Sequence, residues 1–259
     1  MNRIREPAVA GVFYPGDADT LQATVEEFLA AARVPPGPAP KALIVPHAGY
    51  IYSGPVAATA YARLTPYRDR YTRVLLLGPC HRVPFEGLAL SGAGAFRTPL
   101  GDVLLDEAAV AALDLPSVST LEATHRQEHS LEVHLPMLQL TLGEFTLVPL
   151  VVGDAAPGAV AEVLGALWGG DETLIVVSSD LSHFLPYDQA VERDRATCKA
   201  VERLDGGSIG YHDACGVAPV RGLLLEARRR GLRATTLDLR NSGDTAGGRD
   251  QVVGYGAWM

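Results

Sequence analysis

Arg73-Val74-Leu75-Leu76-Leu77-Gly78-Pro79-Cys80-His81 decides the fold. The apolar run does not alternate with polar residues. A strand with one wet face would alternate, so this run reads as a strand buried on both faces. Glycine and proline then break it, and a thiol and an imidazole follow. The same grammar recurs along the chain. Ala42-Leu43-Ile44-Val45 runs into Pro46-His47-Ala48-Gly49. Residues 145–152 run into Gly153-Asp154, and residues 174–177 run into Ser178-Ser179-Asp180.

Helical patterns lie between these runs. Residues 17–32 place Leu21, Val25, Phe28 and Leu29 on one face. Residues 55–64, 107–113, 156–168, 188–204 and 217–230 read the same way, and residues 234–239 and 251–258 read as closing strands. Strands alternating with helices imply an α/β domain: a mostly parallel central sheet with helices on both faces. Pro35-Pro36-Gly37-Pro38-Ala39-Pro40 reads as a stiff linker inside one domain, 1–259.

Composition excludes several classes. The 259 residues are 47% hydrophobic, too apolar for a disordered chain. Asp and Glu total 30 against 22 Lys and Arg, giving a net charge of -8. That balance lacks the basic footprint a nucleic-acid partner requires. Three cysteines, Cys80, Cys198 and Cys215, suit neither a disulfide framework nor a CxxC site. The polar start is unlike a signal peptide, and the longest uncharged stretch, 42–62, is broken by Pro and Gly. A cytoplasmic protein without a membrane span is expected.

In open α/β sheets, ligands bind outside the carboxyl ends of the strands. Here those ends carry His47, His81 and His183, and a later strand leads to Asn241-Ser242-Gly243-Asp244. Each residue alone also reads as ordinary structure: a satisfied histidine, a turn-forming Asp or a helix cap. Their joint placement points to chemistry. Two imidazoles and a carboxylate form the set that holds Fe(II) with open positions, and the same atoms suit zinc. A further unligated histidine could move a proton. Asp180, three residues before His183, could orient that ring or bind metal. His129, Glu132 and His134 form a second cluster that lacks the zinc-protease spacing, and Cys80 beside His81 reads as packing or as a thiol at the site.

Six motifs in order resemble one family: residues 46–54, 78–81, 96–101, 128–136, 178–183, and 241–244 with 252–255. They are similar to the Memo family, known in bacteria and archaea as AmmeMemoRadiSam system protein B. The family is similar in fold to the LigB-type class III extradiol dioxygenases. The resemblance implies His47, His81 and Asp244 as metal ligands, with Thr245 as the other register for the third. It implies His183 and Asp180 as the proton-handling pair, and Cys80, His129, Glu132 and His134 as pocket lining. No cysteine falls at the third ligand position on this reading.

The implied cofactor is a divalent metal, Fe(II) foremost, with copper or zinc as rivals. The implied partners are a small molecule or peptide ligand, with a functional link to AMMECR-domain and radical-SAM proteins. Three readings follow: a dioxygenase-like redox protein, a non-catalytic binding module or adaptor for a phosphopeptide or protein, and a zinc hydrolase.

Overall fold

The structure is a computed structural model that describes residues 3–34 and 36–259. The four continuous apolar runs form its centre as parallel neighbours, in the order Ala42–Val45, Thr173–Ser178, Arg73–Pro79, Thr146–Val152. Nearly every residue of these strands is buried, because helices cover both faces. Antiparallel pairs extend both margins, so the sheet as a whole is mixed. Leu88–Leu90 runs antiparallel to Thr146–Val152 and carries Val118–Thr120 beyond it. On the other margin Val252–Trp258 runs antiparallel to Ala42–Val45, and it pairs with Thr236–Asn241 and His183–Leu185. A separate small sheet joins Ile4–Arg5, Ala95–Thr98 and Gly101–Leu104.

The core is double, one half on each face of the sheet. Ala18–Ala31, Tyr50–Ala62 and Leu135–Leu142 contribute to one half, and Pro157–Ala166, Tyr187–Glu202 and Val217–Arg229 to the other. The expected helices appear within a few residues of their predicted bounds. The exception is Tyr50–Ala62, which starts five residues before Pro55 and holds that proline in its second turn. Pro136 marks a helix start, since Leu135–Leu142 carries it in the first turn, where proline lacks nothing a helix needs.

Linker residue Pro35 lies outside the described residues. The rest of the linker is pinned by side chains. Tyr67 and Tyr71 donate their hydroxyls to the Gly37 and Pro40 carbonyls at 2.5 Å each, and Arg63 donates to the Pro38 carbonyl at 2.8 Å. Among the described residues no helix is long and apolar enough to cross a membrane.

The parallel centre fixes the site. Val45 pairs with Ser178 and Pro79 with Val152, so neighbouring strands release their chains at one edge.

Candidate metal centre

Three imidazoles meet at that edge. One ring nitrogen from each of His47, His81 and His129 lies within 4.8 Å of the others. The ring centroids of His81 and His129 are 4.6 Å apart and nearly stacked. His47 stands edge-on to both, at 5.1 and 5.4 Å. Phe13 closes the far side of His129 at 4.8 Å.

Each of the first two rings is held from behind. Nδ1 of His47 is 2.6 Å from the Ser178 hydroxyl, and its backbone N–H donates to Asp180 Oδ1 at 2.7 Å. Nδ1 of His81 is 2.8 Å from Glu128 Oε1, and its backbone N–H donates to Oε2 at 2.6 Å. Glu128 also accepts the Ser130 N–H and lies 3.5 Å from Nδ1 of His129. A carboxylate accepts the Nδ1–H of His81, so the ring's lone pair is left on Nε2. That is how metal-ligating histidines are commonly supported.

The electrostatics suit neutral rings. Burial, then the neighbouring imidazoles, drives His47 well below its ordinary pKa. Burial and His81 take His129 down to about 4. Burial alone would raise Glu128, but the hydrogen bond and charge of His81 outweigh it and hold the carboxyl at about 2. Three imidazole donors, one with a charged carboxylate behind it, fit a divalent transition metal.

Only part of the expected ligand set converges. Asp244 is not among these donors. Its Oδ1 accepts the Tyr187 hydroxyl at 2.6 Å, and its Oδ2 accepts the Asn241 N–H in a reciprocal cap with the Asn241 side chain. Thr245, the other register, donates its hydroxyl to the Ser242 carbonyl. Both side chains are used to hold the turn that leads out of Thr236–Asn241. The third nitrogen comes instead from His129, which the sequence had suggested only as pocket lining.

Glu132 and His134, also expected along the pocket wall, are sealed beneath it. Glu132 takes the Arg5 guanidinium, the Ala8 and Val9 N–H groups and the Tyr14 hydroxyl, clamping the N-terminal segment. His134 supports the centre from below. Its Nε2 is 2.8 Å from the Ser178 hydroxyl, and its Nδ1 is 2.8 Å from the Tyr61 hydroxyl.

Asp180 stands behind His47, and His183 follows three residues later on the same segment. Asp180 is buried, and burial raises its carboxyl to about 6 despite the N–H bond from His47. His183 is exposed. Its Nδ1 donates to the Leu181 carbonyl at 2.8 Å, so its Nε2 is free to accept a proton. Cys80 turns its thiol to the Val83 carbonyl at 3.0 Å.

Cys215 is the residue the sequence missed. Its Sγ is 3.3 Å from His47 Nε2, the nitrogen left free by Ser178, and 3.3 Å from the Asp180 N–H. Burial, then the Asp180 charge, pushes the thiol pKa up, so it is neutral without a metal. Gly216 permits this approach, since a Cβ there would stand 2.4 Å from the Ser178 carbonyl oxygen. No apolar run announces Cys215. The signal that was available is a Cys-Gly pair opening a helix. A cavity of about 350 Å³ lined by Cys80, Phe85, Tyr211 and Cys215 leads to this thiol.

Comparisons with known proteins show the family. The sequence profile described as Memo-like protein matches residues 5–259. A MEMO1 family protein of Aquifex aeolicus is 36% identical over 98% of this chain and 97% of its own length. One from Sulfolobus acidocaldarius is 34% identical, with 97% of each chain covered. One from Methanopyrus kandleri is 35% identical over 98% of this chain and 97% of its own. Nearly every residue thus has a counterpart in proteins of one kind, and the chain belongs to the Memo family.

Proposed function

We propose that this protein is a metal-dependent redox protein of the non-haem Fe(II) type, with its metal held by His47, His81 and His129. The observation that carries the reading is the support behind the rings. Nδ1 is occupied in both His47 and His81, so Nε2 of each is left for a metal. Cys215, against Nε2 of His47, is placed to join or to shield the centre.

His47, His81 and His129 would hold the metal, which would supply Lewis-acid and redox chemistry there. The protein's own part is positioning and proton handling. Ser178 and Glu128 hold the imidazoles in one orientation. Phe13 and the buried strand ends keep water from the inner side. His183 accepts a proton at Nε2 and hands it on at the exposed edge.

A zinc hydrolase is the second reading, because three imidazoles gathered in one place would also suit zinc and its activation of water. Metal analysis of protein purified without chelators comes first. One metal per chain is expected, and none in the His47→Ala, His81→Ala double variant. Oxygen uptake with catechol-type substrates then separates the readings. Uptake restored by Fe(II) and not by zinc supports the redox protein. Hydrolysis restored by zinc without oxygen uptake overturns it.

A further inference from the structure

Beside the metal centre lies a second opening, a cavity of about 570 Å³. Arg3, Arg82 and Arg126 line it, and their charges are poorly matched. Arg82 and Arg126 are exposed, and neither has an ion-pair partner among the described residues. Arg3 reaches only Glu122, at 4.0 Å.

The two acids of the cavity do not reach Arg82 or Arg126. Glu122 Oε2 accepts the Ser91 hydroxyl and the Gly92 N–H, both at 3.0 Å. Glu6 pairs with Arg97 at 2.9 Å. Arg5, also on the wall, is consumed by Glu132 and by the His125 and Glu128 carbonyls. A chain of net charge -8 has no general excess of cations to scatter, yet four guanidiniums share one concavity and only that of Arg5 is fully paired.

The location links this cavity to the centre. Arg82 directly follows His81, and Arg126 stands three residues before His129. The Arg82 charge is felt at His129. Guanidinium groups bind planar or tetrahedral oxyanions in fork geometry, and two of them favour a doubly charged one.

We propose that this cleft binds the dianionic oxyacid group of a small molecule, a carboxylate pair or a phosphate, and so holds its ligand beside the metal centre. The identification of that ligand as substrate rests on the function proposed above. The anion site itself does not, because it is measured without metal.

The test is calorimetry on the metal-free full chain with sodium phosphate and with sodium malonate, at ionic strength fixed by sodium chloride. Saturable binding of at least one is expected, weakened about tenfold or more in the Arg82→Gln, Arg126→Gln double variant. An Arg233→Gln control, on another surface, should bind as the parent does. Tighter phosphate binding assigns a phosphoryl group, and tighter malonate binding a dicarboxylate. Zinc stoichiometry by dialysis should be the same in parent and double variant, which keeps failure of the cleft distinct from failure of the metal centre. No binding of either anion above chloride, or equal binding by the double variant, overturns the proposal.

Discussion

The Ser178 hydroxyl lies 2.6 Å from Nδ1 of His47, and this contact decides which nitrogen of that ring is left over. The hydroxyl has one proton, and it goes to the Ser130 carbonyl at 2.7 Å. Toward His47 and His134 it can therefore only accept. His47 carries its proton on Nδ1, and His134 carries its own on Nε2. Nδ1 of His134 then accepts from Tyr61.

Ser178→Ala tests this chain. The change leaves two ring N–H groups and one carbonyl buried without partners. Stability should fall by about 1–3 kcal/mol, read by urea denaturation. Metal affinity should fall by about 10–100-fold, read by competition dialysis. An unchanged affinity would show that the ring orientation is set elsewhere.

His129→Ala and Asp244→Asn separate two ligand sets. The first should abolish stoichiometric metal binding. The second should leave it intact and cost only about 1 kcal/mol, from the weakened cap and the Tyr187 hydrogen bond. Loss of metal in Asp244→Asn with retention in His129→Ala would restore the carboxylate as third ligand. In cobalt-substituted protein, a thiolate charge-transfer band that disappears in Cys215→Ala would place the sulfur on the metal.

Stability of the metal-free protein should depend on pH through its buried rings. Burial lowers His134 to about 3, and His125 and His129 to about 4. The unfolded chain has them near 6.5. Between those values the unfolded state binds more protons, so stability is complete above about pH 6.5 and lost on descent toward 4. Asp180, raised to about 6, opposes this because it takes up a proton in the folded state. Glu128, held at about 2, adds a further loss below about pH 4.5. These three rings, with His47 also lowered by burial, outweigh one carboxylate. Denaturation at about pH 7.5 and about pH 5 should differ by roughly 2 kcal/mol or more. Equal stability at the two would show that the folded state protonates its rings as freely as the unfolded chain.

Glu132→Ala should cost about 3–5 kcal/mol, because it leaves the buried Arg5 guanidinium without its counter-charge. The same variant should still bind metal at neutral pH once folded, measured on the soluble fraction. Loss of metal from folded protein would return Glu132 to the site.

The sequence by itself determined the four central strands, the two that close the chain and the edge where chemistry collects, while the short marginal strands went unread. Val74-Leu75-Leu76-Leu77 has no polar face to expose, so it had to be covered on both sides. Local rules then placed His47 and His81 just past their strands. Cys215 and His129 could not be found in that way. They arrive from an irregular segment and a short turn, and no periodicity encodes what a loop will touch. Asp244 shows the opposite limit. Its carboxylate is suited to a metal, but folding gave it the Tyr187 hydroxyl and a backbone N–H first. Only the tertiary structure decided between these partners, because the choice depends on distances between groups far apart along the chain.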